Sequence, residues 1–84
     1  MYFVYSIYNR KHDKIYVGQT VNLEKRISEH NDYGNKTHKF TKSFDGGWIL
    51  IYKEGVVSRS DALVREKQLK SYRGRQFIKQ FIPE

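Results

Sequence analysis

Two tyrosines, an arginine and a glutamate stand out in this chain of 84 residues for the chemistry they could share. Tyr5 closes the run Phe3-Val4-Tyr5 and Tyr16 opens the run Tyr16-Val17-Gly18, while Arg26 and Glu66 follow in stretches of helical pattern. A guanidinium grips a phosphate bidentately and offsets the charge that builds during substitution at phosphorus. A single carboxylate can hold a hard divalent cation that keeps most of its waters and shares the substrate phosphate, so no His or Asp cluster is needed. A phenol orients a water and removes its proton if a nearby cation lowers a pKa that is ordinarily about 10. These side-chain types together suit hydrolysis of a phosphodiester.

Glu66 is the least ordinary of the four. On a helix from Ser60 to Tyr72, Ala62, Leu63 and Leu69 lie at i−4, i−3 and i+3 from it, which puts its carboxylate in the middle of the apolar face. A buried charge without a partner is costly enough to shift its pKa until it is neutral, so a metal ion or an ion pair with Arg26 or Arg65 is expected.

The elements that must position these residues are set by local pattern. Tyr2 to Tyr8 is rich in β-branched and aromatic residues, Asn9 to Asp13 is a polar turn, and Lys14 to Gly18 resumes the alternation. The two runs should pair as an antiparallel hairpin and bring Tyr5 and Tyr16 together. Asn22 is a good N-cap for a helix with Leu23, Arg26 and Ile27 on one stripe, ending near Asn31 to Gly34. Arg26 and His30 stand one turn apart on that helix, within reach of one site. Residues 34–47 read as a long loop carrying Lys36, Lys39 and Lys42, and such length points to a binding role. Trp48 to Tyr52 is apolar on both faces and reads as a central or covered strand. Ser58 and Asp61 start the second helix, Gly74 interrupts it, and Arg75 to Ile82 forms a short further helix ended by Pro83. The fold class is α/β (α+β), a small three-stranded antiparallel sheet flanked by helices in the order β-β-α-β-α-(α), within a single domain over residues 1–84.

Sixteen Lys and Arg against nine Asp and Glu give a net charge of +7, which favours an anionic partner, nucleic acid first. The chain has no cysteine for disulfides, so stability rests on packing seven Tyr, five Phe and one Trp. It shows no apolar run of membrane-spanning length and no signal-peptide pattern at Met1-Tyr2-Phe3-Val4-Tyr5, so a cytoplasmic location without a membrane partner is expected.

These elements in this order resemble the GIY-YIG nuclease superfamily. The first motif reads Phe3-Val4-Tyr5, the second, Tyr16-Val17-Gly18, begins eleven residues after Tyr5, Arg26 stands ten residues further on, and Glu66 lies in a later helix. Tyr16 to Asn31 looks like the family's middle block, and Arg65-Glu66-Lys67-Gln68-Leu69-Lys70 looks like its small stand-alone branch, related to the nuclease modules of excision-repair and flap-processing enzymes. The resemblance implies a DNA endonuclease that uses one Mg²⁺ or Mn²⁺ ion held by Glu66, with structure-specific cutting in repair or recombination as the finer expectation. Arg26 would bind the scissile phosphate. Tyr5, supported by Tyr16, would orient and deprotonate the attacking water, and His30 would relay a proton or bond a phosphate. Gly18 would leave room for the phosphate, with Lys39, Lys42 and Lys70 as further substrate contacts. Phe40 and Tyr33 could stack on unpaired bases or pin the loop. Larger members carry an asparagine after the glutamate; none follows Glu66, which leaves Gln76 or Gln80 for that role. Two alternatives keep the same fold: a non-catalytic nucleic-acid-binding module, and an interaction domain that delivers a partner nuclease. Oligomeric state and the choice between DNA and RNA stay open at this level.

Overall fold

The computed structural model describes residues 1–32 and 39–83. Strand β1 (Tyr2–Asn9) lies in the middle of a three-stranded sheet, between β2 (Lys14–Thr20) and β3 (Ile49–Val56), and both pairings are antiparallel. The hairpin register sets Tyr5 opposite Gly18 and Ile7 opposite Tyr16. Its turn is closed by Asp13 at φ 53°, a left-handed conformation that a short polar side chain tolerates.

Because side chains alternate across a strand, the pleat divides the chemistry from the main core. Val4 on β1 and Val17 on β2 pack with Ala62, Leu69 and Ile78 of the C-terminal helices. Tyr5, Ile7 and Tyr16 emerge on the opposite face, where Trp48, Leu23 and Ile27 cover them. The expected approach of Tyr5 to Tyr16 is realised on this second face, with ring centroids 6.4 Å apart.

Helix α1 (Leu23–Asn31) starts where Asn22 accepts a hydrogen bond from the Lys25 amide at 3.1 Å. A single turn, α2 (Lys39–Lys42), interrupts the stretch read as continuous loop. Trp48 anchors the chain as it enters β3. Its indole donates to the Thr41 carbonyl, and its backbone amide donates to the Asn31 side chain at 2.7 Å.

Three expectations need correction. The third strand is an edge strand. The centre is taken by β1, and the apolar Ile49 and Leu50 of β3 remain partly exposed. On helix α3 (Arg59–Lys70), Leu63 is half exposed, so Glu66 borders the apolar face and does not sit at its middle. The helix break falls at Ser71 and not at Gly74. Ser71 caps both helices: its hydroxyl donates to the Gln68 carbonyl at 2.6 Å and accepts from the Gly74 amide, which opens α4 (Tyr72–Lys79).

Gly74 is instead the point where α4 crosses α3. A Cβ there would fall 2.2 Å from the Gln68 carbonyl oxygen and 2.4 Å from the Leu69 Cα, both backbone atoms that cannot turn aside. Gly74→Ala should therefore force the helices apart and lower stability by about 2–3 kcal/mol, read as a drop in the urea midpoint. An unchanged midpoint would mean that the two helices separate freely.

Candidate active site

Tyr5 sits at the centre of the candidate site. It is fully buried, and its hydroxyl lies 2.8 Å from Nε2 of His30, which is also fully buried. Nδ1 of the same ring lies 2.8 Å from the Thr41 hydroxyl. Burial pushes the Tyr5 phenol well above its ordinary range, Tyr16 and Glu66 add to that rise, and Arg26 works against it. A phenol held protonated donates, so Nε2 accepts and Nδ1–H faces Thr41. One chain of buried polar groups thus runs from the central strand through α1 to α2.

Gly18 makes this packing possible. It faces Tyr5 across the hairpin, and a Cβ in its place would meet the Tyr5 hydroxyl oxygen at 2.7 Å and the Tyr16 ring at 2.9 Å. The close approach of two phenols over this strand requires a residue without a side chain. Tyr16 is only partly buried. Its ring lies 4.9 Å from that of His30 and nearly parallel to Phe40 at 5.9 Å.

Arg26 projects from α1, about a third exposed, with Nε 3.4 Å from Glu29. Glu66 is carried in the other layer of the fold by α3, which packs against β2 and β1. Its partner is neither Arg26 nor Arg65. Lys70, one turn on, donates to the Glu66 carboxylate at 3.0 Å, while Arg65 pairs with Glu54 at 2.8 Å. Exposed pairs of this kind contribute on the order of 0–1 kcal/mol and exchange readily.

The fold therefore brings Tyr5, Tyr16, Gly18, Arg26 and His30 to one place, while Glu66, on α3, is near enough to raise the Tyr5 phenol electrostatically. Lys70 joins them through Glu66. Lys42 is engaged elsewhere, donating to the Glu29 carbonyl at the end of α1. The side chain of Lys39 and all of Tyr33 and Lys36 lie outside the described residues. Phe40 packs on Tyr16 and Phe44 yet stays half exposed, which combines pinning with an available ring surface. The Gln80 side chain donates to the Phe77 carbonyl. Thr41 is the residue that sequence reasoning missed: a lone threonine in a polar stretch carries no signal until the chain brings it to His30.

Among the described residues no three His, Cys, Asp or Glu side chains gather into a metal-binding group. The donor available is the single Glu66 carboxylate, a hard oxygen ligand that already faces a positive charge in Lys70. That chemistry fits one hydrated divalent ion and does not fit a closed, all-protein cage.

Two tyrosines and an arginine are thus presented by a hairpin and the helix that follows it, with a carboxylate on a later helix. A family model described as the GIY-YIG catalytic domain matches residues 1–79, and the chain belongs to the GIY-YIG family. It is 36% identical over 78 residues to a UPF0213 protein of Staphylococcus haemolyticus, which covers 93% of this chain and 90% of that one. A UPF0213 protein of Syntrophus aciditrophicus is 46% identical over 56 residues, covering 67% of this chain and 62% of its own length. No solved structure gives a significant match. Membership in this family makes nucleic acid the class of substrate.

The protonated Tyr5 has a measurable consequence. Its folded pKa is raised, so its contribution to stability is complete below the unfolded value of about 10 and is lost as pH rises toward the folded value, at about 1.4 kcal/mol per pH unit. Denaturation midpoints followed through this alkaline range should fall less steeply for Tyr5→Phe than for the wild type. Parallel curves would show that the fold does not protect this hydroxyl.

Proposed function

We propose that this chain is a metal-dependent endonuclease that hydrolyses DNA phosphodiester bonds in the cytoplasm, with preference for branched or otherwise irregular structures. The reading is carried by one observation: the Tyr5 hydroxyl is buried 2.8 Å from Nε2 of His30, opposite a glycine whose Cβ would strike it, with the Tyr16 ring 4.9 Å from the same imidazole. Packing alone has no need for a buried phenol–imidazole pair under a strand kept clear of side chains.

In this reading Arg26 leaves Glu29 and takes the scissile phosphate, trading a weak surface pair for a bidentate contact. Tyr5, buried in the free chain, would be uncovered as Arg26, which hydrogen-bonds it, moves to the phosphate. It would then receive a proton from the attacking water as it passes its own to Nε2 of His30, so no free phenolate forms at neutral pH. Thr41, accepting from Nδ1–H, holds His30 in the tautomer whose Nε2 accepts from Tyr5. Tyr16, on the open side, orients the water or the phosphate. Glu66 would hold one Mg²⁺ or Mn²⁺, giving up Lys70 to do so. When bound, that ion would offset charge on the phosphate and the leaving oxygen.

The test is incubation of the purified chain with labelled flap, splayed-arm and linear duplex DNA in Mg²⁺, Mn²⁺ or EDTA. Cleavage is expected with metal only, and Glu66→Ala and Arg26→Ala should each lower the rate by about 10²–10³-fold. Salt-sensitive binding without cleavage of any substrate would instead identify a non-catalytic binding module of the same fold. Cleavage that appears only when another protein is added would identify a partner-dependent one.

The pairing of Lys70 with Glu66 makes a separate prediction. Lys70→Ala removes the competing ammonium, so half-maximal cleavage should need about three- to tenfold less Mg²⁺. An unchanged metal requirement would mean that Glu66 is not the ion's ligand.

A further inference from the structure

Two adjoining depressions at the outer edge of β2 have cavity volumes of about 570 and 310 Å³, and Ile15, Phe40 and Arg75 line both. The inner one starts at Tyr16 and Lys70, beside the candidate catalytic groups. The outer one runs on to Lys14 and Lys79. Together they form a single trough leading away from the site along the hairpin and α4.

Its lining has a definite character. Four cations, Lys14, Lys70, Arg75 and Lys79, face one carboxylate, Asp13, which already accepts from the Tyr8 hydroxyl at 2.7 Å. Arg75 and Lys79 stand one turn apart on the exposed side of α4 and have no ion pair among the described residues. Between the cations lies Phe40, 48% exposed although a phenylalanine gains most from burial. Its ring packs on Tyr16, and the residue lines both depressions.

Charge complementarity selects a polyanion, and the half-exposed ring selects one with free aromatic faces. Single-stranded nucleic acid has both; in a duplex the base faces are hidden in the stack. We propose that the trough holds the unpaired segment next to the scissile phosphate, with a base on Phe40 and the backbone on Arg75 and Lys79. What happens at the inner end rests on the nuclease reading, whereas the binding does not.

The test is fluorescence anisotropy in EDTA with a labelled single strand and a duplex of equal length, over a range of salt. Phe40→Leu keeps an apolar side chain on Tyr16 and should weaken single-strand binding about tenfold while leaving duplex binding unchanged. The doubly substituted Arg75→Gln, Lys79→Gln chain, altered only on the surface, should lower the salt slope for the single strand by about 1.4. Unchanged single-strand affinity, or equal losses on both nucleic acids, would overturn the proposal, as would a wild type without measurable single-strand affinity. If the expected pattern holds and the wild type cuts nothing in metal, the trough stands and the nuclease reading fails.

Discussion

A hydroxyl removed from water must find its partner inside the protein, and Tyr5 finds it in His30. That contact fixes more than two side chains. It sets the roll of α1 against the sheet, and through Thr41 it locates the short α2 turn, whose carbonyl in turn receives the Trp48 indole. Arg26, one turn before His30, is aimed by the same roll. Loss of the contact would leave buried polar atoms unsatisfied on two elements, which is far more costly than the bond is worth when made.

The charged groups at the site are held differently. Arg26 rests against Glu29 and Glu66 against Lys70, both within one helix and both partly exposed. Such pairs keep long side chains in place without a deep energy well. The site thus combines a buried hydrogen-bonded chain with charges held only by weak, partly exposed pairs, which on the proposed reading could be handed to a phosphate or a metal at little cost.

Much of this is legible from local signals. The hairpin, the Asn22 and Ser58 caps and the convergence of Tyr5 with Tyr16 arise from turn chemistry, capping and the period of two, which operate over a few residues. The edge position of β3 is not legible, because the order of strands is settled by which partner each finds, and a run apolar on both faces such as Ile49-Leu50-Ile51 reads as central. Thr41 depends on a contact with His30, eleven residues back, across a stretch without periodicity. The Glu66 to Lys70 pair stands in plain view as a spacing of four, yet a carboxylate expected to be buried points to an arginine first. The break lies at Ser71 and not at Gly74, since a glycine in a helical pattern reads as a stop when it is in fact a point of close approach.

That close approach has a mechanical meaning. With the backbones in close approach at Gly74 and Ser71 capping both helices, α3 and α4 are joined as one arm without an intervening loop. Glu66 is carried on one limb and Arg75 on the other, so the interval between them is set by the arm and not by a hinge. On the proposed reading the domain therefore works as a fixed gauge: the bond offered for cutting stands a constant number of phosphates from the anchored segment, whatever bases lie between.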